Sequence, residues 1–433
     1  MSGMHDGARR AGLLSVWLAA ALVVGPVGAV VRADTAISDW PHWRGPGGNG
    51  ASPDATPPVE FGPEKNLRWK VAIPGRGSSS PVVLGQDVYV TAAVPVAGQA
   101  GQFDFRVLCI DRTSGQIRWS RTVVEAVPHE GTHQTNGFAS ASPCTDGQRV
   151  YAHFGSRGLF CLSRAGEVLW NRDFGDMRIR NGFGEGSSPT LADGMILVPW
   201  DHEGPSSLFA LDAKTGRTVW EAPRDEPTCW ATPLVVTDAA GGRQVVMNGQ
   251  RRARGYDLAT GKELWQCGGQ TERPCASAVA TGGVAFVGSG FRGAFIGAFD
   301  LAGRGELAPG HGVIWSRTKD TPDVASPLLS GDRLYYYKEK TGLLTCVDTR
   351  TGAPHYESAR IPGVGRTYAS PVAAAGHVYL TDRGGTITVI RDTPALEVVA
   401  TNDMGEGIDA TPAPAGRDLF IRGEAHLFCV GRP

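Results

Sequence analysis

Short runs of alternating apolar and polar residues recur along the chain and predict β-strands, because a half-buried strand exposes every second side chain. Each run follows a short turn that carries glycine, and a brief apolar stretch precedes that turn. Representative runs are DVYV from Asp87, RVYA from Arg149, RLYY from Arg333 and HVYL from His377. The pattern predicts an all-β chain of short strands joined by tight turns.

A small residue followed by proline opens the apolar stretch of each unit. The copies are Ser80-Pro81, Ser142-Pro143, Ser188-Pro189, Thr232-Pro233, Ser326-Pro327, Ser370-Pro371 and Thr411-Pro412, with Ser277-Ala278 as an eighth copy that lacks proline. Because the marker recurs in phase with the alternating runs, each unit is predicted to contain four strands.

A second motif, an aspartate followed by Thr-Gly or a variant and then tryptophan, runs in phase with the first. Two degenerate copies end at Tyr356 and Val398 instead of tryptophan. The final positions are spaced 50, 51, 50, 45, 50, 41 and 42 residues apart, close to the period of β-propeller blades. We interpret it as a hairpin turn in which aspartate caps amides, glycine takes a positive φ, and tryptophan packs on the next blade. The structural residues assigned to it are Trp69, Asp111, Gly115, Trp119, Trp170, Asp212, Gly216, Trp220, Asp257, Gly261, Trp265, Trp315, Asp348 and Gly352.

The two ends of the repeat region complement each other. The segment LRWKV around Trp69 reads as a fourth strand without its first three, while the stretch from Thr411 onward supplies three strands without a fourth. Pairing them closes a ring and leaves no free sheet edge. The sequence therefore predicts an eight-bladed β-propeller of four-stranded blades, closed by pairing of the N-terminal strand with the C-terminal blade, and a monomeric ring.

Composition and charge agree with this architecture and exclude one class of partner. The 433 residues include 59 glycines and 29 prolines, as expected for many tight turns. The formal net charge is −1, so the chain lacks the basic excess that binding to nucleic-acid phosphates requires.

The N-terminus has the pattern of an export signal. Arg9 and Arg10 precede an uncharged stretch, and Ala33 offers a small residue for cleavage. An uncleaved membrane anchor is the alternative, and it would be the chain's only contact with a membrane. We expect an exported protein, periplasmic or extracellular, organised as residues 1–33, signal peptide; 34–64, N-terminal extension; and 65–433, propeller.

The eight cysteines do not resemble a dense disulfide framework. Four of them, Cys109, Cys161, Cys346 and Cys429, occupy apolar positions of predicted strands, where free cysteine behaves as a small hydrophobe. The remaining group of interest comprises Cys229, Cys267 and Cys275, which lie in comparable loops of neighbouring blades. A local bridge among these three is a hypothesis that the sequence does not assign to any pair.

The repeat copies, together with the leading segment DWPHWRGPGGNG at residues 39–50, resemble the quinoprotein-alcohol-dehydrogenase-like propellers with pyrroloquinoline quinone (PQQ) repeats, which include the BamB-type component of outer-membrane assembly. The resemblance covers roughly residues 38–431. It implies the propeller fold, whereas function varies among proteins that share a fold.

Features that the resemblance associates with function are missing from the sequence. Catalytic quinoproteins of this group carry two adjacent cysteines over the cofactor, a calcium site and a catalytic aspartate, and this chain has no adjacent cysteine pair. BamB-type proteins are lipoproteins that hold a partner through loops on one face, and no lipidation cysteine follows the N-terminal apolar stretch. Neither function transfers directly.

The loops that lead into the innermost strands are the predicted ligand end of the ring. Mixed arginine, carboxylate and aromatic side chains there suit an anionic or sugar-like ligand. The candidate ligand-binding residues are Arg76, Asn136, Arg178, Arg180, Glu185, Trp230, Arg273, Asp323, Arg366, Tyr368 and Asp409, with Glu185 and Asp409 as the weak catalytic candidates.

One string in these loops resembles a metal site. The segment His129-Glu130-Gly131-Thr132-His133 matches the zinc-protease pattern His-Glu-x-x-His, which requires a helix to bring both histidines to one face. Because Pro128 precedes it and Gly131 interrupts it, we expect a loop. His129 and His133 are therefore weak metal candidates, and ordinary loop histidines are the simpler interpretation.

Three functional hypotheses follow. The leading one is a non-catalytic scaffold or binding protein that presents loop surfaces to an envelope or extracellular protein or polymer. The second is a PQQ-dependent oxidoreductase acting on an alcohol or sugar, in which Arg or Asn side chains hold the quinone carboxylates with calcium and Glu185 or Asp409 acts as base. The third is a carbohydrate-binding or carbohydrate-active propeller.

Overall fold

The computed structural model describes residues 39–432, which form eight blades of four antiparallel strands around a central channel. Short additional strands, Ala51–Ser52, Gly305–Glu306 and Ala308–Pro309, extend three of these sheets. The first strands of neighbouring blades contact one another and line the channel. Blades 1 to 4 contain Val82–Leu84, Asp87–Pro95, Phe103–Asp111 and Ile117–Ala126; Cys144–Thr145, Arg149–His153, Leu159–Ser163 and Val168–Arg172; Thr190–Ala192, Met195–Trp200, Ser206–Asp212 and Thr218–Arg224; and Leu234–Thr237, Arg243–Met247, Ala253–Asp257 and Glu263–Cys267.

Blades 5 to 8 continue the ring, and the last of them joins the two ends of the repeat region. They contain Val279–Thr281, Val284–Ser289, Phe295–Asp300 and Gly312–Arg317; Leu328–Ser330, Arg333–Tyr337, Leu343–Asp348 and Pro354–Arg360; Val372–Ala374, His377–Thr381, Thr386–Arg391 and Val398–Asp403; and Ala413–Ala415, Asp418–Arg422, His426–Gly431 and Leu67–Ala72. Leu67–Ala72 pairs antiparallel with His426–Gly431, with Trp69 opposite Cys429. The predicted eight-bladed fold and its closure are confirmed.

Helical structure in residues 39–432 is confined to two short 3-10 turns, Gly155–Arg157 and Arg180–Gly182. Within this described part, no helix has the length and apolar character needed to span a bilayer. The predicted signal peptide or anchor, residues 1–33, lies outside the described residues.

In five blades the motif tryptophan joins its blade to the next one. The indole Nε1 donates a hydrogen bond of 2.8–3.2 Å to a backbone carbonyl of the following blade, and the turn glycine of that blade lies against the ring with a φ of 68–85°. A Cβ at these glycines would collide with the indole. The pairs are Trp69 with Arg112 and Gly115, Trp119 with Arg164 and Gly166, Trp170 with Ala213 and Gly216, Trp220 with Leu258 and Gly261, and Trp315 with Thr349 and Gly352.

The motif aspartates accept hydrogen bonds from amides two or three residues later in their turns. This holds for Asp111, Asp212, Asp257 and Asp348. At Asp111, hydrogen bonding to the Arg118 side chain and to Ser114 lowers the carboxyl pKa to about 2.

Blade 4 departs from this scheme because the next turn is interrupted by an insertion. The Trp265 Nε1 donates to Gln244 Oε1 at 3.0 Å, and the Gln244 amide donates to the carbonyl of Leu301 in blade 5 at 2.8 Å. The Gln244 side chain therefore bridges Trp265 to the next blade, whereas in five other blades the tryptophan bonds to the next blade directly. The inserted strand Gly305–Glu306 pairs parallel with the outer edge of blade 4, and Trp265 is fully buried.

The hypothesised disulfide among Cys229, Cys267 and Cys275 is wrong, because all eight cysteines, each within the described residues, are free. The three thiols contact separate carbonyl groups, those of Asn248, Gly268 and Arg273. The four strand cysteines are buried as predicted. Three of them lie directly opposite a tryptophan of the same blade, where a small side chain leaves room for the indole: Cys109 opposite Trp119, Cys161 opposite Trp170 and Cys429 opposite Trp69.

The small residues that precede proline form a closed ring of hydrogen bonds around the channel. Each of these hydroxyls accepts a hydrogen bond of 2.8–3.2 Å from the backbone amide of the corresponding residue one blade earlier, and the eighth bond returns to the first blade. The members are Ser80, Ser142, Ser188, Thr232, Ser277, Ser326, Ser370 and Thr411. The hydroxyls satisfy amides that strand pairing leaves without partners.

The N-terminal segment, residues 39–56, crosses the channel beyond this ring and contacts the first strand, or the turn after it, in all eight blades. We call it the plug. Its contacts, in blade order, are Trp40 with Val83, Pro41 with Thr145, His42 with Thr190, Gly48 with Leu234, Asn49 with Ala280, Asn49 with Leu329, Gly50 with Ala373, and Thr56 with Gly416.

Candidate functional site

A cavity of about 470 Å³ occupies the loop end of the channel, on the side of the hydroxyl ring that faces away from most of the plug. Seven of the eight ring residues line it, and Trp43 of the plug contributes to its lining from the channel side. A second cavity, of about 550 Å³, lies on the other side of the plug, against the later residues of the first strands of blades 2 to 5. The plug thus separates two spaces within one ring.

Six of the candidate ligand-binding residues line the loop-end cavity, and His133 lines it with them. The six are Asn136, Arg180, Trp230, Arg273, Tyr368 and Asp409. They come from loops of different blades, which the ring brings to one opening. Sequence reasoning did not select several further lining residues, among them Trp43, Glu272, Phe291, Arg292 and Lys340.

The other five candidates lie around the cavity rather than in its wall. Arg76 lines an adjoining pocket of about 300 Å³. Arg178 is exposed and donates to the carbonyl of Glu203. Asp323 is buried behind Arg273, and Arg366 is exposed with its guanidinium 5.8 Å from the ring of Tyr368.

The fifth, Glu185, lines a separate pocket of about 30 Å³, a volume suited to one water molecule. Its carboxylate accepts hydrogen bonds from the backbone amide and hydroxyl of Ser156. Burial raises the pKa of Glu185. Because this carboxylate is enclosed and bonded to Ser156, it does not meet a ligand in the loop-end cavity.

One wall of the cavity is built from Arg273 and its neighbours. The guanidinium lies 3.4 Å from the ring centroid of Phe291, a cation–π contact, and 3.4 Å from the carboxylate of Asp323. Lys340 Nζ lies 3.5 Å from the same carboxylate. Two cations therefore share one buried carboxylate, which leaves positive charge on this wall.

The neighbouring wall centres on Tyr368. Its ring has the guanidinium of Arg383 at 4.1 Å and Lys340 Nζ at 5.8 Å. Arg383 in turn holds Asp409 through two hydrogen bonds of 2.5 and 2.8 Å. Asp409 is thus a bidentate partner of arginine, an arrangement that stabilises the ionised carboxylate.

Arg180 and Trp230 line the cavity next to the Arg273 wall, since Gln250 Oε1 accepts from both Arg180 and the Arg273 amide. Arg180 pairs with Glu272 at 3.1 Å, and its Nη1 donates to Gln250 at 3.1 Å. The Trp230 indole donates to the carbonyl of Gly184 at 2.7 Å, which fixes the ring in the wall. Asn136 has a similar anchoring role, because its amide donates to the carbonyls of Phe183 and Glu185.

The His-Glu-x-x-His segment lies in the irregular loop between blades 1 and 2, without a helix. His129 Nε2 approaches the carbonyl of Met177 at 2.6 Å, while His133 Nδ1 approaches the hydroxyl of Thr135 at 2.9 Å. Within residues 39–432, no three histidine, cysteine, aspartate or glutamate side chains are grouped closely enough to hold a metal ion. The zinc-protease geometry is therefore not formed by these histidines.

The fold family implies PQQ together with a calcium ion. The cavity suits PQQ, but its side chains do not form a calcium site. Its volume, its aromatic lining and its arginines suit a planar organic anion such as PQQ. A calcium site of carboxylate and amide oxygens does not fit, because Asp409 and Glu272 are paired with arginine. The Asn136 amide oxygen already accepts hydrogen bonds from the Gly137 amide and the Ser140 hydroxyl. The cavity also has a single cysteine, Cys275, in its wall.

Eight four-stranded blades, a closing N-terminal strand and a loop-end cavity define the class of quinoprotein-like propellers. A sequence profile of the family described as outer membrane protein assembly factor BamB matches residues 62–181 and 103–353, which together span more than half of the chain. The chain belongs to this family. No curated protein matches its sequence.

Solved structures with the same architecture include a BamB protein, an alcohol dehydrogenase and a designed protein. BamB from Moraxella catarrhalis is 13% identical, with a TM-score of 0.57 over 84% of this chain and 99% of that one. Quinohemoprotein alcohol dehydrogenase from Comamonas testosteroni is 12% identical, with a TM-score of 0.59 over 92% and 81%. A computationally designed protein, Ika8, is 13% identical, with a TM-score of 0.56 over 83% and 98%. At these identities the likeness concerns the fold.

Proposed function

We propose that this chain is a non-catalytic binding propeller that presents its loop end to an anionic group of an envelope protein or polymer. The observation that carries this proposal is the charge of the cavity. Four cationic side chains line it against two carboxylates, and each carboxylate is paired with arginine. The cations are Arg180, Arg273, Arg292 and Lys340, and the carboxylates are Glu272 and Asp409.

Pairing of the carboxylates argues against base catalysis. A general base must accept a proton from the substrate and therefore needs an oxygen within reach of it. Asp409 has both oxygens on Arg383, and Glu185 is enclosed with Ser156. The cavity supports binding of negative charge better than proton transfer.

We also propose that the chain is exported to the cell envelope. The N-terminal basic and uncharged stretches support it, as does membership of a family described as outer membrane protein assembly factor BamB. The partner is proposed to carry carboxylate or other acidic groups, which would pair with Arg180, Arg273 and Lys340 at the cavity.

A PQQ-dependent oxidoreductase is the second candidate, and the aromatic lining of the cavity favours it. The rings of Trp43, Trp230, Phe291 and Tyr368 surround a space large enough for a planar cofactor. When bound, PQQ would supply hydride or electron acceptance. In this candidate Arg180 and Arg273 hold its carboxylates, and a carboxylate of the chain acts as base.

Calorimetric titration of residues 34–433 with PQQ, with and without calcium, separates the two candidates. The proposal predicts saturable binding that chelation of calcium leaves unchanged, because arginines rather than a calcium site recognise the carboxylates. Arg180→Gln should weaken this binding, whereas Arg243→Gln, which removes a paired arginine from the plug end, should not. Binding that requires calcium would favour the oxidoreductase, and absence of binding would contradict recognition of organic anions by the cavity.

A further inference from the structure

The plug has an unusual position between the two cavities of the channel. Its backbone and side chains supply the partners of amides in the first strands of several blades: Thr145 bonds to Pro41, Ala280 and Leu329 bond to Asn49, and Ala373 bonds to Gly50. These first-strand amides therefore have bonds to the plug rather than to a neighbouring blade. One segment completes the inner surface of the ring.

Anchoring of the plug depends on two large buried side chains. Trp40 is 0% exposed, bridges to Val83 and lies under Gly45, where a Cβ would collide with its ring. Arg44 is fully buried, and its guanidinium donates to the carbonyl of Pro327 at 2.5 Å and to that of Pro371 at 3.1 Å. Arg44 thereby ties the plug to blades 6 and 7.

Arg44 and the neighbouring Trp43 connect the plug with the loop-end cavity. Trp43 lines the cavity, and the Arg44 guanidinium lies 5.5 Å from the Trp43 ring. The hydrogen-bond partners of Arg44 in the described part of the chain are carbonyl groups, so no carboxylate compensates its charge there. A buried, uncompensated cation next to a cavity favours an anion in that cavity.

We propose that residues 39–56 act as a built-in floor of the binding site, with Trp43 as a ligand contact, so that insertion of the plug and binding of an organic anion are thermodynamically linked. This inference rests on the proposed function of the loop-end cavity. It adds a specific residue, Trp43, from a segment outside the repeats. The bound ligand in turn stabilises the inserted plug.

Linkage of this kind has a quantitative consequence. If the anion binds only when the plug is inserted, a ligand concentration of ten times Kd suppresses plug opening about tenfold. The reciprocal statement is that a variant with a loosened plug binds the anion more weakly by the factor that the opening equilibrium dictates. Both effects are measurable on the intact ring.

Hydrogen exchange of the first-strand amides tests the plug without any ligand. The amides of Thr145, Ala280, Leu329 and Ala373 lie in four different blades but share the plug as partner. We expect them to show one common protection factor, because a single opening event exposes all four. Arg44→Met should lower that factor at all four amides together. If the four protection factors differ and the variant changes them independently, the plug does not open as one unit, and this part of the inference is wrong.

Arg422→Met is the matched control for this experiment. Arg422 is also fully buried with a guanidinium bonded to Ser79 and to the carbonyl of Thr91, and it lies in blade 8 rather than in the plug. The substitution Arg422→Met, like Arg44→Met, removes a buried guanidinium that is bonded to backbone carbonyls. Arg422→Met should leave the common protection factor of the four amides unchanged. A decrease as large as that in Arg44→Met would show that general destabilisation, rather than loosening of the plug, lowers the protection factor.

PQQ in calcium-free buffer is the probe for the linkage itself. At ten times its Kd it should raise the common protection factor of the four amides about tenfold. Trp43→Ala should weaken PQQ binding by tenfold or more, while Trp43→Phe, which keeps an aromatic floor, should retain most of the affinity.

The outcomes separate this inference from the proposed function. Unchanged affinity in Trp43→Ala, with normal binding by the native chain, would overturn the floor and leave the proposed function standing. Binding that leaves the four protection factors unchanged would overturn the linkage alone. Failure of the native chain to bind PQQ or an acidic glutamate peptide would remove the proposed function and the floor together.

Discussion

The two ends of the channel are built from the same eight first strands, yet they differ in chemistry. At the plug end, backbone groups and buried side chains meet, and Trp40 and His42 fill space between strands. At the loop end, charged side chains such as Arg273 and Asp409 surround a cavity of about 470 Å³. The repeated strands therefore form the ring, whereas the segments outside the repeat pattern, the plug and the loops, give each end its chemistry.

The difference between the ends follows from the segments that reach them. Loops at one end vary in length and carry arginine, carboxylate and aromatic groups, as binding loops on a rigid scaffold commonly do. The other end receives a single segment with three tryptophan and arginine anchors, Trp40, Trp43 and Arg44. We infer that stability is concentrated at the plug end and recognition at the loop end.

The largest effect is expected at the plug end, in Trp40→Ala. Because the indole is fully buried between the plug and blade 1, its removal should lower the free energy of unfolding by about 3–5 kcal/mol. Urea denaturation measures this. Ile117→Ala, at an exposed site on an outer strand, should change stability little, and an equally small loss in Trp40→Ala would contradict the anchoring role of the plug.

Acid should destabilise both ends through one histidine each, the half-buried His42 at the plug end and the buried His153 at the loop end. Burial lowers the pKa of His42, in the plug, and of His153, beside Ser187, to about 4. The unfolded chain takes up these protons near pH 6.5 and the folded chain near pH 4, so stability present above pH 6.5 is lost as the pH falls towards 4. Each residue accounts for about 3 kcal/mol at most.

The pH dependence can be assigned by substitution. His42→Gln keeps a hydrogen-bonding side chain opposite Thr190 and should flatten the loss of stability between pH 6.5 and 4 when unfolding is followed by urea titration at each pH. His377→Gln, at a partly exposed histidine of blade 7, is the control and should keep the native slope. Identical slopes in both variants would contradict the assignment.

A smaller effect is expected in the hydroxyl ring that lies between the two ends. Ser188→Ala removes the acceptor of the Ser142 amide, leaving a buried donor unpaired at a cost of about 1–3 kcal/mol. Thermal unfolding reports the change. The exposed Ser120→Ala should be neutral, and a neutral Ser188→Ala would show that the ring adds no stability.

The smallest effect on stability, and the most informative about the loop end, is predicted for Asp409→Asn. The substitution removes a negative charge and frees Arg383 from its bidentate partner. Affinity for PQQ in calcium-free buffer should rise several-fold, as measured by calorimetry, because the cavity becomes more positive. Weaker binding would instead assign Asp409 a direct role in holding the ligand.

The ring could be predicted from sequence because its signals are periodic. The spacing of the motif's final positions, six tryptophans followed by Tyr356 and Val398, gives the number of blades, and the unmatched strands around Trp69 and Thr411 indicate the closure. The bridge through Gln244 could not be predicted in the same way, since it compensates for a turn that the insertion after Asp300 alters in the next blade.

The site was predicted less completely, for physical reasons. Loop position identified Arg180 and Tyr368, but it did not reveal that Glu185 turns into an enclosed pocket with Ser156. The serine and proline markers showed where strands begin, whereas the hydroxyl ring depends on contacts between blades. The plug was missed because residues 39–56 carry no strand periodicity, and their partners lie more than 200 residues away in several cases, as for Asn49 and Ala280.

The central claim is that the loop end binds organic anions such as PQQ without catalysing the oxidation of alcohols or sugars. The most direct test is a stopped-flow measurement in which the chain, loaded with PQQ and calcium, is mixed with a panel of alcohols and sugars. The account predicts that the absorbance of oxidised PQQ does not change, because the carboxylates at the cavity, Asp409 and Glu272, are held by arginine. Reduction of the bound quinone by any of these substrates would contradict it.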